Sequence, residues 1–560
     1  MKEIIVKILK TQLNLNEAEI ESLIEVPKDT NLGDYTFPCF ALAKTLKKNP
    51  VEIAKNIASS IKHLAEFEKI EAVGPYVNFF VDRQTLALET LKTIMKEKNK
   101  YGTYKSKKEH VMIEFSQANT HKAFHIGHVR GTSLGESLAR ISAFVGNKVT
   151  RANYQGDTGI HVAKWLWCYL NYHKKEILKK DEEWISSIYV ESVKRLAENP
   201  EYEKEVAEIN KKLEDRSDKN LFDLWKKTRK LCLNAFESIY SDLSTNFDHY
   251  FFESEVEKRG KEISQELIKR NIAEISEGAT IVRLDKYNLG VWVLLRKDGT
   301  VLYSAKDLAL AEDKFNKFKV DRSVYVVGAA QRHHFMQLFK TLELMQFRQA
   351  GKCAYIPVTE VRLPWGKMSS RTGENVLYSE FKKEIVAHAL QEIRKRASDI
   401  SQKDLEKRAL AISIAALKYD MLKQDVNKSL VFNKDEALRF EGDTGPYLLY
   451  SYARAKSILA KAKIKKPSIN AKAPIAESEK RLLSLLASFP KAVREAYEDY
   501  APNHIANYAY QLAQTFNEFY HQNQVIGSEN EQFRLALVSA FAQVLKNALH
   551  LLGISPIEKM

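Results

Sequence analysis

Cysteine is scarce in this chain, and the few that occur stand far apart. They are Cys39, Cys168, Cys232 and Cys353. This spacing excludes a disulfide framework and any zinc site built on a CxxC pair, and it favours a reducing compartment such as the cytoplasm. No apolar run approaches the roughly 18 residues that a membrane span needs. The charged start, residues 1–22, lacks the apolar core of a signal peptide. We therefore expect a cytoplasmic protein with no membrane partner.

Acidic residues are the minority among the charged ones. The chain has 72 Asp and Glu against 87 Lys and Arg, a formal net charge of +15. A large protein with this excess often binds a polyanion, and RNA or DNA is the first expectation, although charge alone does not separate this from plain solubility. The length of 560 residues suggests about three or four domains. With 44% apolar residues, the composition excludes a disordered chain.

One segment carries the pattern of an α/β core. A short apolar strand pattern at 111–115 is followed by a helix pattern from about 127 to 144 and a second strand pattern from 148. Strand, helix, strand indicates a parallel sheet. Another such strand begins at Val324. The intervening stretch of about 170–275 is helical and charged, which is typical of an insertion, and helical patterns dominate after about 380.

The sharpest local feature is the turn His125-Ile-Gly-His128 between the first strand and its helix. Ligands of parallel sheets bind beyond the carboxyl ends of the strands, where a helix N-terminus offers N–H groups to phosphate. Two histidines three residues apart can both donate to phosphate oxygens, and Gly127 permits a close approach of a base or ribose. Lys122 adds a positive charge. Surface histidines or metal ligands remain the alternatives, and a P-loop is excluded because GxxxxGK[ST] does not occur here.

A second element is the glycine-bracketed basic loop LPWGKMSSRTG at 363–373, which contains Lys367 and Arg371. Such a loop suits closure over a triphosphate, where negative charge grows as pyrophosphate leaves. An ordinary exposed turn would have the same composition.

Together these elements resemble the HIGH and KMSKS signatures of class I aminoacyl-tRNA synthetases. The segment FSQANTHKAFHIGHVR (115–130) resembles the arginyl-tRNA synthetase version in particular. Four further motifs are similar to that family, in its order: NYQGDTG (153–159), LYSAKDLA (302–309), FEGDTGPY (440–447) and the tail 544–560. The resemblance runs from about residue 20 to residue 560.

The resemblance implies a ligase that activates L-arginine with ATP and transfers it to the terminal adenosine of tRNA(Arg). It implies a HUP-type Rossmann α/β catalytic core with an N-terminal α+β domain and an all-α C-terminal bundle. The implied domains are 1–105, contacting tRNA; 106–380, catalytic, with the insertion; 381–435, a helical region contacting the tRNA stem; and 436–560, which binds the anticodon. The implied partners are tRNA(Arg), arginine and ATP, with Mg²⁺ bound through the ATP phosphates, no metal site of the protein's own, and a monomeric chain.

The implied site residues fall into three groups. The catalytic ones are His125, His128, Lys122 and Lys367, and the ATP-binding ones are Gly127, His125, His128, His334, Lys367, Met368 and Ser369. The arginine-binding ones are Glu114, Asn119, Tyr303, Asp307 and Gln331, with Asp157 a weaker candidate. We expect Asp307 and Tyr303 to bind the guanidinium, a planar cation that needs carboxylate acceptors. Asn119 and Glu114 should hold the α-amino and carboxylate end, although these roles could be exchanged.

The sequence departs from the family signature at two places. Ser370 replaces the second lysine of KMSKS, and Ala123 replaces the usual proline after Lys122. The resemblance implies that Lys122 supplies the charge that Ser370 does not.

Candidates for binding the anticodon bases by stacking or edge hydrogen bonds are Asn507, Tyr508, Phe516, Tyr520 and Met560. Tyr508 and Phe516 also lie on an apolar helical stripe, which is typical of a helix core.

Three other functions stay open as alternatives. A small-cofactor adenylyltransferase would be a short single domain, which the length disfavours. A synthetase for another cationic amino acid requires an aminoacylation assay to exclude. An inactive tRNA-binding relative should have lost residues of the histidine turn or of the pocket, and all of these are present.

Overall fold

The chain is described by a computed structural model covering residues 2–25, 27, 32–61, 64, 66–104, 108–363, 366–367, 376–395, 400–462, 467–470 and 472–559. The helices are α1 (Lys2–Lys10), α2 (Glu17–Leu23), α3 (Phe40–Leu46), α4 (Pro50–Ser60), α5 (Arg83–Glu97), α6 (Ile126–Phe144), α7 (Ile160–Cys168), α8 (Glu182–Glu198), α9 (Tyr202–Glu214), α10 (Lys219–Asp242), α11 (Glu253–Lys269), α12 (Tyr303–Phe318), α13 (Arg332–Leu344), α14 (Tyr378–Arg394), α15 (Gln402–Leu422), α16 (Lys434–Ala437), α17 (Gly445–Ala462), α18 (Glu477–Glu498), α19 (Asn503–Gln522) and α20 (Glu531–Leu551). The strands are β1 (Tyr35–Pro38), β2 (Phe67–Val73), β3 (Tyr76–Val81), β4 (His110–Glu114), β5 (Lys148–Gln155), β6 (His249–Phe252), β7 (Glu274–Ser276), β8 (Ala279–Arg283), β9 (Val291–Leu295), β10 (Arg322–Gly328), β11 (Cys353–Val358), β12 (Val361–Leu363), β13 (Gly366–Lys367) and β14 (Leu430–Val431).

The first of two compact units contains the N-terminal region. It comprises residues 1–101, 458–488 and 515–544. Its antiparallel sheet has the order β1-β3-β2. Helix α4 begins at Pro50, which suits the first helical position, and the Asn49 side chain caps it by accepting from the Val51 N–H at 2.9 Å. The apolar faces of the sheet and helices share one buried cluster, which includes Ile5, Leu9, Ile20, Phe37, Ile53, Val77 and Phe79.

The second unit contains the α/β core. It comprises residues 102–457, 489–514 and 545–560. Its main sheet has the order β11-β10-β4-β5-β6, and every neighbouring pair is parallel. Strand β4 is central because the chain continues to β5 on one side and returns to β10 on the other. Such a point, where the strand order reverses, is where parallel sheets bind ligands. The predicted parallel core is confirmed.

Helix α6 packs against β4 and β5 through a close approach. Gly135 faces the Phe115 ring, and a Cβ at this position would lie only 2.1 Å from it. Any larger residue would push the helix away, so this glycine fixes how closely the middle of α6 packs against Phe115, the residue that follows β4.

Two features of this unit were not anticipated from the sequence. Strand β6 lies inside the stretch expected to be an insertion, yet it pairs with β5 as the fifth strand of the core. Strands β7, β8 and β9 form a small antiparallel sheet. The strands β6 to β9 are short, and the hydrophobic periodicity of so short a segment does not distinguish a strand from a helix.

The C-terminal part is helical, as expected. Helices α14–α20 dominate it, and the short β14 pairs with β12. Across the described ranges, every helix falls short of the combined length and apolarity that a bilayer-crossing segment requires.

Candidate active site

A cleft of about 900 Å³ opens at the carboxyl edge of the main sheet. Residues from the histidine turn and from the predicted amino-acid pocket line it together: Glu114, Asn119, His125, Gly127, His128, Tyr303, Asp307, Gln331 and His334. Most come from the ends of elements, and Asn119 lies in the loop between β4 and α6. Strand β4 ends at Glu114, helix α6 begins at Ile126, α12 begins at Tyr303, and Gln331 closes a short 3₁₀ turn after β10. The parallel topology therefore brings together residues that are distant in sequence.

The two histidines of the first turn form a stacked pair. Their ring centroids lie 3.9 Å apart. Nδ1 of His128 accepts a hydrogen bond from the backbone N–H of His125 at 3.1 Å. This bond leaves the proton of a neutral His128 on Nε2, as a donor.

Both imidazoles are neutral because they are buried. Burial lowers the pKa of His125 to about 4. Burial, with the neighbouring His125 and Lys122, lowers the pKa of His128 well below its ordinary value. At neutral pH the turn therefore offers N–H donors and a helix N-terminus instead of two cations.

The histidine turn forms backbone hydrogen bonds with the segment that follows the basic loop. The Ile126 N–H donates to the Val376 carbonyl at 3.4 Å, and the Tyr378 N–H donates to the Phe124 carbonyl at 3.0 Å. Residues 368–375, including Met368, Ser369, Ser370 and Arg371, lie outside the described residues. Lys367 is described only as backbone, in β13.

Two of the cleft's carboxylates already have lysine partners. Oε2 of Glu114 lies 2.6 Å from Nζ of Lys314, an ionic contact outside hydrogen-bond angles, and both side chains are almost fully buried. Oε2 of Glu253 accepts from Nζ of Lys306 at 3.2 Å. Burial raises the pKa of Glu253 despite that partner. Both carboxylates thus carry charge that the protein itself neutralises.

Asp307 has a different partner. Its Oδ2 lies 2.6 Å from Nε2 of His334, and Nδ1 of His334 accepts from the Trp292 indole N–H at 3.3 Å. Within the ranges that the structure describes, no lysine or arginine lies within ion-pair distance of Asp307. The Tyr303 ring packs edge-on against His334, with centroids 4.7 Å apart. His334, which we expected to bind ATP, lines the cleft and contacts this aspartate.

Asn119 lies directly over Gly156. A Cβ on Gly156 would meet Oδ1 of Asn119 at 2.1 Å. The glycine in the NYQGDTG motif therefore makes room for the asparagine at the edge of the cleft.

Lys122 lines a neighbouring pocket of about 640 Å³, which shares Asn119 and the two histidines with the main cleft. Its Nζ lies 5.5 Å from the centroid of the Tyr189 ring on α8. The predicted catalytic lysine is thus adjacent to the histidine turn, on the side of the inserted helices.

Asp157 does not face the cleft. It is fully buried, and its carboxylate contacts Arg229 at 2.7 Å and the Ser254 hydroxyl at 2.8 Å. Its other oxygen, Oδ1, accepts from the Ser254 N–H at 3.0 Å. Because both oxygens are used internally, Asp157 is a structural residue and the weaker suggestion of an arginine-binding role is not supported.

The anticodon candidates occupy different environments along α19. Asn507 is exposed and Tyr520 is 38% exposed, whereas Tyr508 is buried. Phe516 is fully buried and stacks on Phe541, so it presents no face to a nucleotide in this conformation. Met560 lies outside the described residues.

Sequence reasoning missed three residues that shape the cleft. These are Lys314, Lys306 and Trp292. One signal was available: Lys314 follows Asp307 by seven residues on α12, so the two side chains share a face that is otherwise apolar. The position of Trp292 on β9 carries no comparable signal.

In the described part of the chain, one cluster of three side chains has the spacing of metal ligands. A thiol sulfur, a ring nitrogen and a carboxylate oxygen of Cys168, His173 and Glu191 lie within 4.8 Å of one another. However, burial raises the pKa of the Cys168 thiol to about 12, and both His173 nitrogens contact glutamates. A protonated thiol is a poor ligand.

Comparisons with known proteins cover the whole chain. The family model described as class I (R) tRNA synthetases, catalytic domain, matches residues 90–434. The DALR anticodon binding domain matches 448–560, and the arginyl-tRNA synthetase N-terminal domain matches 1–81.

Individual relatives agree with these matches. The chain is 36% identical to an arginine–tRNA ligase of Clostridium perfringens and 34% identical to one of Clostridium acetobutylicum, with 100% of each chain covered. Among solved structures it resembles Thermus thermophilus arginyl-tRNA synthetase, with a TM-score of 0.79, 26% identity, and coverage of 100% of this chain and 99% of that one. The Plasmodium falciparum arginyl-tRNA synthetase shares the fold at a TM-score of 0.74 and 21% identity, with 96% and 94% covered.

Proposed function

Since the chain belongs to the arginyl-tRNA synthetase family and activates arginine with ATP to charge tRNA, we propose that its cleft is where the three substrates react. The observation that carries this assignment is the placement of the two signature histidines and Asp307 in one cleft. A nucleotide at the turn and a cationic side chain at the aspartate would then lie end to end.

Asp307 and Tyr303 bind the guanidinium group. Glu114 and Glu253 are paired with lysines, whereas Asp307 has no lysine or arginine partner among the described residues and can accept a cation. A guanidinium forms bidentate, charge-assisted hydrogen bonds with such an acceptor. Asn119 and Gln331 are left to contact the amino and carboxylate end of arginine, near the histidine turn. This leaves Glu114 an indirect role, through the shape and charge balance of the pocket.

The start of α6 binds the phosphates. Nε2–H of His128 donates to oxygens whose charge grows as the arginine carboxylate attacks the α-phosphorus, and the partial positive charge at the N-terminus of α6 stabilises the same oxygens. The bond to the α-phosphorus forms in line as pyrophosphate leaves, and no nucleophile of the enzyme is needed. The rate comes from positioning and charge stabilisation.

Lys122 and Lys367 stabilise the leaving pyrophosphate, with Lys122 replacing the charge that Ser370 lacks. Mg²⁺, when bound, would offset phosphate charge, and we propose that phosphates and water hold it.

In the second step the 2′-hydroxyl of the terminal adenosine of tRNA attacks the adenylate carbonyl, releasing AMP. We propose that residues 1–105 and 436–560 contact the tRNA, with Asn507 and Tyr520 the accessible candidates for anticodon bases. The excess positive charge supports phosphate contacts whose affinity falls steeply with salt. A monomeric, cytoplasmic enzyme is the form we propose.

The test is aminoacylation of tRNA(Arg) with each of the twenty amino acids, together with pyrophosphate exchange with and without tRNA. We expect charging with arginine only, and exchange that requires tRNA. Charging with lysine would indicate another cationic specificity, tRNA binding without charging would indicate an inactive relative, and strong exchange without tRNA would contradict the expected tRNA requirement.

A further inference from the structure

The chain Trp292–His334–Asp307 connects the small antiparallel sheet to the guanidinium-binding carboxylate. We propose that Trp292 is a positioning residue that keeps His334 neutral, so that Asp307 retains its full negative charge for arginine. The inference rests on the proposed function of Asp307 and deepens it.

The geometry assigns the proton of His334. The indole N–H of Trp292 can only donate, so Nδ1 of His334 must accept, at 3.3 Å. The single proton of the neutral ring is then on Nε2, where it is donated to Oδ2 of Asp307 at 2.6 Å. Trp292 and His334 are both buried, at 4% and 8% exposure, so water cannot replace either bond easily.

The two partners of His334 act in opposite directions. A carboxylate at 2.6 Å favours a second proton on the ring, because an imidazolium would form an ion pair with it. That second proton would have to be on Nδ1, where it would point at the indole N–H, and two donors cannot face each other in a buried site without a large cost.

The charge state of His334 determines the net charge that the arginine guanidinium contacts at Asp307. With a neutral ring, Asp307 presents a full negative charge to the guanidinium. With an imidazolium, the aspartate is already neutralised, as Glu114 and Glu253 are by their lysines. Of the carboxylates of Glu114, Glu253 and Asp307, none would then lack a positively charged partner. Arginine would lose its main electrostatic attraction to the cleft.

The surroundings of His334 contain few other titrating groups. From α12 it meets Asp307 and Tyr303, and from β9 it meets the uncharged Trp292. Glu253 from α11 lies in the same cleft, paired with Lys306. No lysine or arginine in the described ranges forms an ion pair with Asp307, so His334 is the group whose protonation changes the charge there.

The test is the pH dependence of the arginine KM in tRNA-dependent pyrophosphate exchange, between about pH 8.5 and about pH 6, where an imidazole titrates. For the unaltered enzyme we expect a nearly constant KM. For Trp292→Phe we expect a KM close to that of the unaltered enzyme at high pH and a rise on the order of tenfold at low pH, the loss of one charge-assisted bond. The uncharged arginine isostere citrulline, tested as a competitive inhibitor, should show no such rise.

Two variants separate this effect from general damage. Trp165→Phe removes another buried indole bond, to the Ile185 carbonyl at 2.8 Å, and should leave the pH dependence of KM unchanged. The double variant Trp292→Phe/His334→Gln replaces the ring with an amide that can donate to Asp307 but cannot become a cation, and it should restore a constant KM.

A constant KM in Trp292→Phe, or a pH-dependent rise that persists in the double variant, overturns the inference. If Trp292→Phe does not fold, as judged by thermal unfolding, Trp292→Leu lacks the same donor and must show the same rise. An unaltered enzyme that does not activate arginine at any pH would instead contradict the proposed function.

Discussion

The ammonium group of Lys314 lies 2.6 Å from the carboxylate of Glu114, and burial excludes water from both. The pair joins helix α12 to the end of β4, so it connects the two elements that carry Asp307 and Glu114 to the cleft. The Lys314 ammonium also lies 3.6 Å from the centroid of the Tyr325 ring, a cation–π contact that holds it in place.

Removing one member of this pair should be costly. We expect Lys314→Met to lower the free energy of unfolding by about 3 kcal/mol, since it leaves a buried carboxylate without a partner. Lys317→Met on the same helix removes an ion pair with Asp313 whose lysine is 67% exposed, and should cost at most about 0.5 kcal/mol. The double variant Lys314→Met/Glu114→Gln should recover part of the loss. Chemical denaturation measures all three, and equal effects for the two lysines would contradict the role of burial.

His128→Asn should impair chemistry more than arginine binding. The imidazole donates to phosphate oxygens chiefly in the transition state, so we expect the rate of tRNA-dependent pyrophosphate exchange to fall by about 100-fold with little change in the arginine KM. His249 in β6 is also a histidine whose pKa burial lowers, but it lies outside the cleft lining. His249→Asn should retain the rate. A large KM effect with unchanged kcat for His128→Asn would place this side chain in arginine binding instead.

The buried histidines should make the protein acid-sensitive. Burial lowers the pKa of His121 and of His161 to about 3. In the unfolded chain a histidine takes up a proton near pH 6.5. Between about pH 6.5 and about pH 3 the unfolded state therefore binds more protons than the folded state. The free energy of unfolding decreases as the pH falls below about 6.5. At pH 5 each contributes up to about 2 kcal/mol of destabilisation.

Thermal unfolding at about pH 7 and at about pH 5, in buffers of the same ionic strength, measures this loss. His121→Gln should show a smaller difference between the two pH values than the unaltered chain, because one buried histidine is gone. His504→Gln, at a partly exposed position on α19, should leave the difference unchanged. If His121→Gln retains the full acid sensitivity, the loss originates elsewhere.

The sequence was sufficient to place the ends of the core elements. Glu114 ends a strand and Gln331 follows β10, as the strand patterns at 111–115 and from Val324 predict, and Tyr303 and Asp307 lie one turn apart at the start of α12. The carboxyl ends of parallel strands share one edge, so a correct topology alone brings these residues into one cleft.

What the sequence could not supply was the partner of each charge. The lysine that neutralises Glu114 is 200 residues away along the chain, and although the helix face of Lys314 distinguishes it from the exposed Lys317, that face does not show which carboxylate it meets. Trp292 lies on a short strand whose existence was not predicted. Pairings of this kind depend on how separate elements pack, which local periodicity does not encode.

Lys122→Ala should lower the rate of arginine activation far more than the affinity for arginine. The lysine borders the histidine turn in the neighbouring pocket, where it can offset charge on the leaving pyrophosphate. Lys194→Ala on α8 removes an exposed lysine from the lining of the same pocket and is the matched control. We expect kcat to fall by about 100-fold for the first variant and little for the second. An unchanged kcat in Lys122→Ala would refute the idea that this lysine compensates for Ser370.

Asp307→Asn should convert the guanidinium site from a charged acceptor to a neutral one. The amide keeps the size of the side chain and one acceptor oxygen, so the fold should be retained, whereas the ion pair with arginine is lost. We expect the arginine KM to rise by about 100-fold or more, with a much smaller effect on citrulline inhibition, because citrulline carries no charge to lose. Asp313→Asn, six residues further along α12 and paired with Lys317 away from the cleft lining, should leave the arginine KM unchanged. Steady-state pyrophosphate exchange measures both variants, and equal losses for arginine and citrulline would show that Asp307 acts through the shape of the pocket and not through its charge.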